Sequence, residues 1–169
     1  YGTDYGLRAA IALGALAALE PAEAIYLSTR SDATGDALHG AHRFRLAIPA
    51  GGLATDAFWS VSMYEVMPDG RLFFVDNPIR RYAVGDRTRG LHYDADGTPR
   101  IALSHEAPSD PALLANWLPA PDGPFVITLR VYLPHAALRE WRVPLPSVVR
   151  RELIGLRYSS ATAESASTF

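Results

Sequence analysis

Two stretches of this chain alternate between apolar and polar residues with period two, a pattern that fits strands with one dry side and one wet side. In Phe58-Trp59-Ser60-Val61-Ser62-Met63-Tyr64, one face carries Trp59, Val61 and Met63, and the other carries Phe58, Ser60, Ser62 and Tyr64. In Phe125-Val126-Ile127-Thr128-Leu129-Arg130-Val131-Tyr132, the odd-numbered residues share one face and Val126, Thr128, Arg130 and Tyr132 share the other. The first set in each stretch belongs in a core. The second borders water or a polar cavity.

Further short runs of β-branched and aromatic residues, at 24–28, 42–48, 72–75 and 100–103, are broken by Gly, Pro and Asp, as in an all-β domain. Pro68-Asp69-Gly70 and Asp94-Ala95-Asp96-Gly97 read as hairpin turns. Asp4 is placed to cap a helix over 5–19, with Leu7, Ile11, Ala15 and Ala18 on one face and Pro21 as its stop. A short helix over 134–140 precedes extended structure over 141–144. The expected fold is mainly β: a jelly-roll-like β-sandwich with an N-terminal helix and short peripheral helices. A single domain over 1–157 is followed by a flexible Ser/Ala/Thr-rich tail over 158–169.

A chain of 169 residues can bury roughly two thirds of its unfolded surface. Its net charge of −2 argues against nucleic acid or an anionic membrane bound by bulk electrostatics. There is no Cys and no Lys, which excludes disulfides, thiolate nucleophiles, Cys-based metal sites and Schiff-base chemistry. The apolar run 9–19 has the look of a signal-peptide core. However, Asp4 stands where such a peptide wants positive charge, and the run is shorter than the about 20 residues that span a bilayer. A buried packing helix is the better reading. The chain begins at Tyr1 and not at Met, so something upstream, a leader or a preceding domain, is expected to have been removed; the absence of Cys fits a periplasmic or cell-envelope location, and a cytoplasmic one is also compatible.

The chain has only two Asn and no Gln, a bias that suggests specific jobs for both amides. Asn77 lies in a segment, 76–87, that also holds Asp76, Arg80, Arg81, Tyr82, Asp86 and Arg87. As chemistry, this segment supplies carboxylates for acid/base work and guanidiniums that clamp anions or sugar hydroxyls. As structure, Asp76-Asn77-Pro78 is an Asx-type turn held by salt bridges. Asn116-Trp117-Leu118-Pro119-Ala120-Pro121 offers Trp117 as a platform for a flat ligand with Asn116 bonding a hydroxyl, or else a plug at the sandwich end with Asn116 satisfying loop backbone.

Other motifs fail on spacing. His105-Glu106 has no second His at 109 and is followed by Pro108, Asp94-Ala95-Asp96-Gly97 lacks the later ligands of a calcium loop, and five scattered His define no metal set. Ser60 and Ser62 sit in no nucleophile motif, and no phosphate loop or dinucleotide fingerprint is present. Neither metal nor cofactor is expected.

Taken together, segments 57–64, Asp76-Asn77-Pro78 with Arg81-Tyr82 and Gly85-Asp86-Arg87, 93–98, 116–121, and Phe125 with 129–132 resemble the bacterial domain of unknown function 1214 family. The resemblance runs over about 1–150 and departs at the insertion-like loop 65–71. It implies a β-sandwich domain, often preceded by a partner domain of unknown function 1254 or by a signal or anchor, and it brings no agreed reaction.

The expected function is an envelope-type binding or assembly module that holds a small polar ligand or a partner subunit, or a second copy of itself, through Asn77, Arg81, Tyr82, Asn116, Trp117, Arg130 and Tyr132. Arg130 should meet Asp76, Asp86 or a ligand anion. One alternative is a hydrolase or lyase acting on a carbohydrate-like or ester substrate, with Asp76 or Asp86 as base and Arg81 or Arg130 stabilising charge. Another is an accessory subunit of a membrane-associated complex.

Overall fold

The structure is a computed structural model that describes residues 4–6, 9 and 19–151. The expected N-terminal helix and C-terminal tail therefore lie almost wholly outside the described residues.

Among the described residues nine strands form two sheets. In chain order they are β1 (Ala24–Thr29), β2 (Arg43–Ala47), β3 (Thr55–Val66), β4 (Leu72–Phe74), β5 (Ala83–Gly85), β6 (Arg100–Ser104), β7 (Trp117–Pro119), β8 (Phe125–Pro134) and β9 (Val148–Arg151). Among residues 19–151, two short helices, α1 (Pro111–Ala115) and α2 (Ala136–Arg139), precede β7 and follow β8. The first sheet has the order β1-β8-β3-β4, with β5 also on β3, and all its pairings are antiparallel. The second has the order β7-β6-β2-β9, where only β6 and β7 run parallel.

The alternation sets which faces meet. Trp59, Val61 and Met63 of β3 and Phe125, Ile127, Leu129 and Val131 of β8 are buried. They face Phe44, Leu46, Ile101, Leu103, Leu118 and Val148 from the second sheet in one continuous core. Phe44 and Phe125 meet edge to face across the sandwich, with centroids 5.8 Å apart. Each such side chain contributes about 1.5–3 kcal/mol by leaving water, so the sandwich rests mainly on these positions. Gly85 lets β5 close on β3, because a Cβ there would fall 2.2 Å from the Trp59 carbonyl oxygen.

Several expected elements differ. The second helix is a single turn, Ala136–Arg139, because Pro134 still belongs to β8. Residues 141–144 form no strand, and Trp141 takes φ 57° with its ring exposed. Pro68-Asp69-Gly70 turns the β3–β4 hairpin, closed by Met67 N–H donating to Arg71 O at 2.9 Å. The Asp94 turn closes through Gly97 N–H to Asp94 O at 2.8 Å but leads into β6 without a partner strand before it.

Candidate functional site

The sequence-derived site residues divide into a buried lock and an open face. Asn77 is 8% exposed; its Nδ2 donates to Val75 O at 2.9 Å and Arg81 O at 3.1 Å, and its Oδ1 accepts from Arg81 N at 2.9 Å. Asn116 is 1% exposed; it accepts from His92 N at 2.8 Å and donates to His92 O at 2.7 Å and Arg100 O at 3.2 Å. Each amide thus replaces a missing stretch of backbone pairing in a loop that no sheet satisfies. Arg81 ties the two loops together. Its Nη1 donates to Ala115 O, at the end of α1, and to Trp117 O, both at 2.9 Å. Trp117 is buried with its Nε1 donating to Ser104 O at 2.9 Å, so it offers no ring to a ligand.

Asp76 is exposed and makes no ion pair or hydrogen bond among the described residues. Asp86 is exposed too, and its Oδ1 accepts only a long bond, 3.4 Å, from Trp59 N. Neither carboxylate pairs with Arg81 or Arg130. The salt bridges expected to hold the 76–87 segment are replaced by the amide and backbone bonds of Asn77.

Arg130 lies instead on the outer face of the first sheet. The register pairs it with Ser60 on β3, which sets Ser62 and Tyr64 along the same face. Its Nη1 donates to Ser62 Oγ at 2.9 Å, its Nη2 donates to Tyr64 Oη at 2.6 Å, and its Cζ stands 5.8 Å from the Tyr64 ring centre. No carboxylate pairs with it among the described residues. Aromatic rings surround it. Phe58 stacks on Tyr132 at 4.4 Å, Tyr64 on Phe74 at 5.0 Å, and Tyr82 leans on Phe74 at 5.4 Å. Arg87 lies over Phe58, 4.1 Å from its centre. Phe74 and Tyr82 remain open to solvent. Sequence reasoning chose Tyr82, Arg130 and Tyr132 from this face and missed Phe58, Tyr64 and Phe74. The wet side of β3, Phe58-x-Ser60-x-Ser62-x-Tyr64, carried the signal for the first two. Among the described residues no group of three or more His, Asp or Glu is placed to hold a metal ion.

The family described as "Protein of unknown function (DUF1214)" matches residues 23–136, which hold every strand of the first sheet and both amide loops. The chain belongs to the DUF1214 family. A solved structure of the VPA0106 protein from Vibrio parahaemolyticus is similar, with 29% identity and a TM-score of 0.69 over 83% of this chain. This DUF1214 chain spans only 34% of that protein's chain. An uncharacterized protein from Burkholderia cenocepacia aligns with a TM-score of 0.46 and 16% identity over 96% of this chain and 42% of its own. No curated protein sequence matches.

Proposed function

We propose that this DUF1214 domain is a binding and assembly module whose outer sheet face docks a protein surface that presents a carboxylate to Arg130. The observation that carries the reading is the guanidinium itself: half-buried, bonded only to two neutral hydroxyls and ringed by aromatic side chains. A charge taken partly out of water gains most from an opposite charge that arrives with the partner. Arg set among Tyr and Phe is also the composition of interface hot spots. A broad sheet face suits another protein surface better than a small molecule that needs enclosure.

The same reading places the domain in the cell envelope as a subunit or segment of a larger assembly, a role compatible with a cysteine-free chain in an oxidising compartment. No described helix is long and apolar enough to cross a membrane. A hydrolase or lyase finds less support, because among the described residues neither proposed base, Asp76 or Asp86, pairs with Arg81 or Arg130.

The test is site-specific photocrosslinking in the cells that make the protein, with a benzophenone side chain in place of Tyr82, and at exposed Val149 on the other sheet as control. The expected result is one protein captured from position 82, not from 149, and lost when Arg130→Ala is added. Capture that ignores Arg130 overturns the assignment of that residue; no capture from position 82 overturns the docking face.

A further inference from the structure

A second site, sharing no residue with the outer face, lies at the end of the sandwich where the loop from β2 to β3 turns back. There Gly51, Gly52, Thr55, Trp59, Asp86 and Tyr93 line a cavity of about 320 Å³. The Trp59 ring is 3% exposed and packs in the core, yet its Nε1 has no hydrogen-bond partner. Among the described residues the buried side-chain polar atom without a partner is Asp32 Oδ2. The Trp59 indole N–H is therefore not sealed in the core but opens onto the cavity.

Gly52 accounts for that access. It holds φ +85°, and a Cβ built on it would stand 3.7 Å from Trp59 Nε1, so any side chain at this position would lie against the indole edge. On another wall Asp86 keeps most of its acceptor capacity unused, since its one bond is the long contact from Trp59 N. Tyr93, 49% exposed, adds a flat ring at the mouth.

We infer that this cavity binds a neutral polyhydroxylated ring, a monosaccharide or the end unit of a glycan. The walls ask for two things at once: an acceptor for the indole N–H and a donor for the Asp86 carboxylate. An amine meets only the second demand. A carboxylate meets only the first and is repelled by Asp86, with no basic side chain in the lining to offset it. A zwitterion meets both but brings its own carboxylate into the same uncompensated field. Neighbouring sugar hydroxyls each donate and accept, so one pair satisfies both walls without adding charge, while the C–H face of the ring rests on Tyr93.

Three indole resonances, from Trp59, Trp117 and Trp141, make the test direct. The ¹⁵N-labelled chain is titrated with methyl glucoside, methyl galactoside and methyl mannoside, with L-alanine as the zwitterionic control, and peaks are assigned with Trp59→Phe and Trp141→Phe. The expected result is saturable movement of the Trp59 indole peak with at least one glycoside, at a Kd of about 1–10 mM. The Trp117 peak should stay still, because its N–H is held by Ser104. Asp86→Asn and Tyr93→Ala, both at exposed positions, should weaken binding by about tenfold, and they stand in should Trp59→Phe fail to fold. If no glycoside moves the Trp59 peak, if all three indoles drift together without saturation, or if L-alanine alone saturates it, the inference is overturned.

Discussion

Replacing Asn116 by Ala removes an amide that makes three bonds at a position 1% exposed: one from His92 N and two to the carbonyls of His92 and Arg100. At about 1 kcal/mol net for each bond, the loss is about 3 kcal/mol, and the space left by the amide adds about 1 kcal/mol. The estimate of about 3–4 kcal/mol is a large part of an ordinary domain's 5–15 kcal/mol, but it should leave a folded protein. With a urea slope of about 2 kcal/mol/M, the unfolding midpoint should fall by about 1.5–2 M. Asn116→Asp sharpens the test. Asp keeps the bond from His92 N but turns an ionised oxygen toward two carbonyls in a buried site, so it should cost more than Ala. Equilibrium urea unfolding followed by tryptophan fluorescence reads both. A loss below about 1 kcal/mol for Ala, or Asp milder than Ala, refutes the account of Asn116 as a backbone substitute and restores a ligand-facing role.

Gly85→Ala should destabilise by about 3 kcal/mol, since its Cβ would collide with the Trp59 carbonyl and push β5 off β3; thermal unfolding measures it, and a change within about 0.5 kcal/mol contradicts the close approach. Arg130→Ala should change stability by no more than about 1 kcal/mol, because the guanidinium is only half-buried and bonds two neutral hydroxyls, those of buried Ser62 and half-buried Tyr64; the same urea assay checks it, and a loss as large as that of Asn116→Ala contradicts an open face. The hydroxyl of Thr34 foremost, against the opposing effect of burial and with help from the Thr34 and Asp36 amides and the charge of Arg150, holds the Asp32 carboxyl below its ordinary 3.8. A depressed folded-state pKa gives stability that is present above 3.8 and is lost as pH falls through the folded value. Urea midpoints taken down through the acid range should therefore decline less steeply for Asp32→Asn than for the parent; equal slopes count against the bond.

The sandwich was legible where one residue's environment is set by its immediate neighbours. The β3 and β8 alternation placed Trp59, Val61, Met63 and the odd positions of 125–131 in the core, and all of them are buried. Three strands escaped for non-local reasons. β5 is three residues long inside a polar segment and exists because β3 offers an edge. β7 reads as a proline-rich loop and becomes a strand only by lying parallel to β6. β9 gains its identity from β2, more than a hundred residues earlier. The two asparagines stood out by rarity, but rarity could not say whether an amide faces a ligand or a backbone. The expectation that Arg130 would meet Asp76 or Asp86 failed because strand register gives it cross-strand hydroxyls while both carboxylates ride on loops.

The edge of β3 is shared by two short strands, β5 on Ser60–Ser62 and β4 on Tyr64–Val66. β5 is anchored by Val84 and Gly85, both buried, whereas Leu72, Phe73 and Phe74 of β4 are all exposed. Little apolar burial opposes the peeling away of β4, so this hairpin can open locally while the rest of the sheet stays shut. Amide protons in the β4 ladder should then exchange with solvent well before those of the β5 ladder. Each opening would also unstack Phe74 from Tyr64, the ring beside Arg130, so that the docking surface and its movable rim share one residue.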